Sequence, residues 1–304
     1  TGDIRADVEG LTGIAPDTVD SLTTAQIESI LPSGMSLSVY DTVNNRIDHV
    51  WSRSDSGQTS FTKYYYDTDG TLIYTVSDDT RSSVESLTAI TVDNVSGLTQ
   101  SDIETHAASG MSIAVYDTDS KRIDHVWTRS ESGDITFTGY EYDSLGKLVY
   151  TLTGNRRSDV ENATGITVSN ASSLDEADVQ SMLDDSMRLS VYDTVHNRID
   201  HVWSLDETGS VSFTQYHYHY DSSGALVYTV TGSIRSDVEG LTGVTVDNVR
   251  ALTASDIDTL LGAGMSIAVY DTGHNRIDHI WSREDSGKAR FTRYHYDANG
   301  NLVY

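Results

Sequence analysis

The sequence predicts an α+β, β-rich fold of four tandem modules of about 76 residues, each a short helical segment followed by a four-stranded antiparallel meander. Three observations carry this. The hexapeptide Arg-Ile-Asp-His-Val-Trp stands at Arg46 to Trp51 and returns at Arg122 to Trp127, at Arg198 to Trp203 and, with one Val-to-Ile change, at Arg276 to Trp281. Upstream of each copy lies a helix-capping pattern, and around and after it the apolar spacing drops to two. The modules therefore run over residues 1–76, 77–152, 153–230 and 231–304.

Each module opens on a segment such as Ile234 to Gly243, where Ser236 or Asp237 is placed to cap a helical turn and Gly243 to end it. The β-branched stretch Val244 to Val246 reads as extended. The clearest helix follows over Leu252 to Leu261, with Thr253 and Asp256 at capping-box spacing and Ile257, Leu260 and Leu261 on one face. Thr23 with Gln26, Thr99 with Asp102 and Asp175 with Asp178 repeat the device. Gly34, Gly110 and Gly264 mark the helix exit, and Ser186 takes that place in the third module.

In the first module Ser36 to Tyr40 reads as a strand, Asp41 to Asn45 as a turn, and Arg46 to Ser52 as a second strand. Strict alternation puts Ile47, His49 and Trp51 on one face and Arg46, Asp48 and Val50 on the other. Phe61 to Tyr66 and Thr71 to Val76 are the third and fourth strands. The third module is two residues longer between Phe213 and Asp221, and an insertion of two preserves facing.

Tyr294-His-Tyr-Asp-Ala-Asn-Gly-Asn-Leu resembles the YD, or RHS-type, repeat of bacterial extracellular proteins: a Tyr-Asp pair, Gly three residues after the Asp, and Leu two further on. Tyr66-Asp67 with Gly70 and Leu72, Tyr142-Asp143 with Gly146 and Leu148, and Tyr220-Asp221 with Gly224 and Leu226 match equally. The resemblance covers about a dozen residues of each module. It implies a bacterial surface or other extracellular location and hairpins that serve as scaffold. The helix-bearing module departs from that family's short period.

The net charge of -26, from 46 acidic and 20 basic residues, repels phosphate backbones and anionic lipid and so argues against nucleic-acid partners. With no cysteine there are no disulfides, thiolate metal sites or cysteine nucleophiles. No apolar run is long enough to cross a bilayer, so membrane insertion is not expected. The chain opens Thr-Gly-Asp and reads as a processed chain or a piece of a longer one. Thr1 resumes the repeat phase that Tyr304 leaves, which suits either a ring closing on itself or a segment of a longer array.

On opposite strand faces, Asp48 and His49 form no acid–base pair, and no catalytic residue is assigned. Arg46 and Asp48, with Arg122 and Asp124, Arg198 and Asp200, and Arg276 and Asp278, are the candidates for contacts between repeats. Trp51, Trp127, Trp203 and Trp281 read as core, and as sugar-stacking faces in the rival arrangement of a closed propeller-like lectin. Asp67 with Asp69, and Asp297 with Asn299, look like the opening of a calcium loop without its remaining ligands; the simpler reading is an Asp capping its own turn. His217 and His219 share a face as a metal pair found in one module only, and Asn94, Asn162 and Asn170 begin glycosylation sequons. The expectation is a non-enzymatic, extracellular or cell-surface tandem-repeat protein, part of a fibre, filament or adhesin. Its partners are copies of itself or adjacent repeats of a longer chain, with glycans in the rival reading; it needs no cofactor, and calcium is the cation its turns invite.

Overall fold

A computed structural model describes residues 11, 14–15, 18–219, 224–297, 300 and 302–303. Thr1 and Tyr304, on which the ring-or-array question turns, lie outside them, as do the first segment of module one up to Gly10, Tyr220 to Ser223 and Asn299. The chain divides into two compact units, Thr1–Gly139 with Asn155–Arg157, and Tyr140–Gly154 with Ser158–Tyr304.

The first unit contains α1 (Thr24–Ile30), β1 (Ser36–Asp41), β2 (Arg46–Arg53), β3 (Thr59–Tyr66), β4 (Leu72–Asp78), α2 (Arg81–Ser86), α3 (Gln100–His106), β5 (Ser112–Asp117), β6 (Arg122–Arg129) and the start of β7 (Ile135–Tyr142). Strands β1 to β7 pair in sequence order, every pair antiparallel. The second unit contains β8 (Leu148–Gly154), most of α4 (Arg157–Asn162), α5 (Glu176–Met182), β9 (Arg188–Asp193), β10 (Arg198–Leu205), β11 (Val211–Tyr218), β12 (Leu226–Gly232), α6 (Arg235–Glu239), α7 (Ala254–Leu260), β13 (Ser266–Asp271), β14 (Arg276–Arg283) and β15 (Ala289–Arg293). Strands β8 to β15 likewise pair in order. The α+β, β-rich meander is thus the observed architecture. Repeats join edge to edge through β4–β5, where Tyr74 faces Val115, and through β12–β13, where Tyr228 faces Val269.

All four capping boxes form, with Thr23, Thr99, Asp175 and Thr253 each accepting from the backbone N–H three residues on. The chain leaves these helices through a left-handed residue, Gly34 at φ 77° and Gly110 at φ 87°, and Ser186 adopts φ 67° in the third repeat without glycine's freedom.

Two local expectations are corrected. Ser236 and Asp237 lie inside α6, whose N-cap is Ile234 with no side-chain cap, and Gly240 rather than Gly243 ends it. Val244 to Val246 forms no strand, because this stretch passes through turns into a short 3₁₀ segment, Val249–Ala251. The two-residue insertion of the third repeat preserves facing as expected: β11 covers the eight positions that β3 covers, and Tyr218 faces Leu226 as Tyr66 faces Leu72.

The two helices of a repeat cover strands of different repeats. α1 packs on β3 of its own repeat, whereas α2, which opens repeat two, packs back on β3 and β4 of repeat one. In the second unit α6, opening repeat four, packs on β11 and β12 of repeat three, and α7 packs on β14 and β15. A repeat therefore buries its sheet only with the first helix of its successor.

Candidate functional site

In every copy the Asp of the hexapeptide is a β-bulge. Val39 faces His49 and Tyr40 faces Ile47, so Asp48 has no partner on β1; Asp124, Asp200 and Asp278 are skipped in the same way. The bulge overturns the opposite-face reading of Asp48 and His49. Released from alternation, the carboxylate turns back on its neighbour, and Oδ2 of Asp48 lies 2.7 Å from Nδ1 of His49. The same contact measures 2.6 Å at Asp124–His125, 2.7 Å at Asp200–His201 and 2.6 Å at Asp278–His279.

An ionised carboxylate only accepts, so the neutral imidazole donates from Nδ1 and is left with a bare Nε2. Nε2 of His49, His125 and His201 is buried without a hydrogen-bond partner. Burial lowers the pKa of His49 although Asp48 pulls the other way. Burial raises that of Asp48, but bonds from His49 and from Lys63 at 2.8 Å outweigh it and the net shift is downward. An Asp-His pair of this kind orients a base in many enzymes. Here the nitrogen that would act on a substrate is sealed in three of four copies.

The core stripe is His and Trp. Trp51, Trp127 and Trp203 are fully buried, whereas Ile47, Ile123, Ile199 and Ile277 are only half-buried because the bulge tips them off the core face. This corrects the sugar-stacking alternative for those three tryptophans: none offers a ring face to a ligand. Trp281 is half-buried. Each Trp packs on a Phe of the next strand, with centroids 4.7 Å apart for Trp51–Phe61 and 4.6 Å for Trp203–Phe213, and the His ring packs on the same Phe at 5.1 Å for His49 and 5.2 Å for His201.

The arginines of the hexapeptide make their described contacts inside their own repeat. Arg46 lies 3.6 Å from Asp41 across the β1–β2 turn and stacks over Tyr66 at 4.4 Å; Arg198 and Arg276 stack on Tyr218 and Tyr296, each at 4.3 Å, and pair with Asp193 and Asp271. Arg122 begins β6 opposite Asp117.

Several contacts that cross a repeat boundary come from arginines that the sequence reading did not single out. Arg81 donates to the carbonyl of Leu22 at 3.4 Å and holds its guanidinium 5.5 Å from the centre of Phe61. Arg157 donates to Ser96 and Leu98 at 2.7 and 3.5 Å and lies 5.4 Å from Phe137. Arg235 donates to Leu174 at 2.9 Å, lies 5.5 Å from Phe213, and its backbone N–H meets the Glu176 carboxylate. A signal was available: Arg5, Arg81, Arg157 and Arg235 recur in the same phase as the hexapeptide. A further tie is the buried Tyr74, whose hydroxyl donates to Ile90 at 3.0 Å, repeated by Tyr150 to Ile166 and Tyr228 to Val244.

The YD segments form the β3–β4 hairpin and its counterparts. Tyr66 donates its hydroxyl to Ile47 at 2.8 Å, and Tyr296 does the same to Ile277. Oδ1 of Asp67 accepts from the backbone of Asp69 and Thr71 at 2.9 and 2.7 Å, so this carboxylate closes its own turn. Gly70 sits at φ 84°, as does Gly300 in the turn after Asp297. Tyr220 and Asp221, and the Asn299 of the calcium pair, lie outside the described residues. Among the described residues no three His, Asp or Glu side chains gather as a metal site. His217 stacks on Tyr228 at 4.3 Å, and His219 follows β11 in the turn. An open groove of about 570 Å³ is lined in part by Asp20, Asp41 and Asp48. Asp41 there is engaged by Asn44 and Asp48 by Lys63. Asn94 and Asn170 spend their side-chain amides on the carbonyls of Ala89 and Gly165, at 2.9 and 2.8 Å.

No family model and no curated protein matches this chain. Among solved structures, one of TcdB2-TccC3-TEV is similar over 90% of this chain and 11% of its own, at 12% identity and a TM-score of 0.26. One of TcdB2-TccC3 is similar over 88% of this chain and 14% of its own, at 14% identity and the same TM-score of 0.26. The chain thus spans less than a sixth of either relative, and the YD resemblance rests on its own residues.

Proposed function

We propose that this chain is a non-enzymatic structural repeat protein, a stretch of an extracellular or cell-surface fibre, filament or adhesin whose repeats associate end to end. The observation that supports it is where the repeated residues are spent. His, Trp and Phe go to the sheet core, and the Arg of each following repeat goes to the joint over that core. A repeated ligand site would keep polar or aromatic groups open to solvent, whereas a repeated joint buries them. Strand pairing across repeat boundaries supplies a second, edge-to-edge element of cohesion.

The acidic, cysteine-free composition suits an exported protein held together without disulfides, and the YD resemblance points the same way. The partners are other copies or adjacent repeats, and no cofactor enters the reading. Negative-stain electron microscopy of the purified chain at high concentration tests it. Filaments or short linear oligomers are expected; uniform single particles at every concentration would overturn it. Calorimetric titration with calcium is expected to give no saturable heat, and a saturable one would add the cation to the joint.

A further inference from the structure

The cluster that repeats one to three bury is open at its Phe in repeat four, where His279 stays buried and Trp281 is half-buried. Phe291 is 48% exposed, against 0% for Phe61, 3% for Phe137 and 0% for Phe213. His279 and Trp281 still pack on Phe291, at 5.2 and 4.6 Å. Among the described residues no arginine stands over Phe291 in the way that Arg235 stands over Phe213. The element that covers the equivalent face of repeat three is the segment opening at Ile234, through Arg235 and the buried Val238.

The chain carries a second version of that segment. Ile4 to Gly13 is identical to Ile234 to Gly243 except for Ala6 in place of Ser236. Ser236 is exposed, so the one difference falls on the solvent side of the joint. Arg5 and Val8 correspond to the two residues that make the internal contact, Arg235 and Val238. The carbonyl equivalent to Leu22, Leu98 and Leu174 belongs to Leu252.

We propose that the face of Phe291 and Trp281 docks Ile4 to Gly13 of a second copy, so that chains join head to tail through the joint they already use internally. This rests on the self-association reading above and names its surface. Arg5 would donate to Leu252 and stack over Phe291, and Val8 would fill the place that Val238 fills on repeat three. Two such ends on one chain make the contact heterologous, giving a linear series of oligomers instead of a closed two-fold pair. Copies of net charge -26 repel one another, so association strengthens as salt screens the repulsion.

Sedimentation velocity of the 304-residue chain, over a concentration series at low and at moderate salt, tests this. The wild type is expected to form dimers and longer oligomers as concentration rises, more so at moderate salt. Arg5→Glu removes the docking segment and Phe291→Asp the receiving face, so each variant alone is expected to stay monomeric. Mixed in equal amounts, the two retain one good end each and are expected to form dimers and nothing longer. Rescue in that mixture also shows that both variants are folded. If the variants oligomerise like the wild type, this joint is wrong while self-association stands. A wild type that stays monomeric at every concentration, including one closed into a ring, overturns both.

Discussion

Repeats three and four, both in the second unit, place the same side chains in the same strand register and end with different cores. Trp203 meets Phe213 at 4.6 Å and 57°, and Trp281 meets Phe291 at 4.6 Å and 52°. Yet Phe213 is 0% exposed and Phe291 48%. The aromatic geometry is thus set by cross-strand pairing within one repeat, and the removal of water by the helix of the next. Nε2 of His201 and Nε1 of Trp203 are buried and unpartnered, whereas His279 and Trp281 carry no such atom. Covering a repeat therefore gains apolar burial and leaves two polar ring atoms dry, and the two aromatic rings decide the sum.

The comparison breaks most readily at the tryptophans. Trp203→Ala opens a cavity in a sealed core and is expected to cost about 3–5 kcal/mol in urea unfolding, while Trp281→Ala, where the side chain is already partly exposed, is expected to cost less. Equal costs would mean that the successor helix adds nothing to the core.

A second test uses a position where repeats differ. Phe61 faces Asp78, where Phe213 faces Gly232. Burial and the neighbouring Asp79 push the Asp78 carboxyl up to about 6. Its folded value lies above its ordinary 3.8, so the protonated acid stabilises the fold fully below 3.8, and that contribution is lost as pH rises through about 6. Asp78→Asn is expected to stabilise the chain at pH 7 by about 1–3 kcal/mol and to change little at pH 4. A variant with the same gain at both pH values would dismiss the buried charge as the cause.

Arg235→Ala isolates the joint itself. Losing one carbonyl bond and one stacked guanidinium is expected to cost about 1–2 kcal/mol and to raise acrylamide quenching in the Trp203 region towards that of Trp281. Unchanged quenching would assign the seal to Val238 alone.

The smallest effect belongs to the Asp-His pair of repeat one. His49 has a folded pKa below its ordinary 6.5, so the contribution of its neutral ring is present above 6.5 and lost as pH falls below it. Asp48 is also lowered, from 3.8, so its contribution is present above that value and disappears as pH falls through the folded one. Both make acid destabilising. His49→Gln is expected to flatten the pH dependence of stability below pH 6.5, and an unaltered slope would show that the ring is not the group that titrates.

Much of this was legible in the chain. Capping boxes at Thr23, Thr99, Asp175 and Thr253 are local chemistry, a hydroxyl or carboxylate reaching an N–H three residues on, and the helices follow from them. The hairpins follow from period-two alternation and from turns such as Asp67 to Gly70. The bulge at Asp48 was not legible, because alternation is a rule about one strand and the bulge is a mismatch between two. That mismatch turned an excluded Asp-His pair into an observed one. Arg81 was equally hidden: its partner Leu22 is 59 residues away, although its recurrence every 76 to 78 residues was in plain view.

The sequence by itself determined the elements, their order and their fourfold repetition, since caps, turns and apolar spacing act between residues a few positions apart. Only the tertiary structure decided where one structural unit ends and the next begins. A sheet face is buried by whichever helix reaches it, and here the helix that reaches Phe61 or Phe213 belongs to the following repeat.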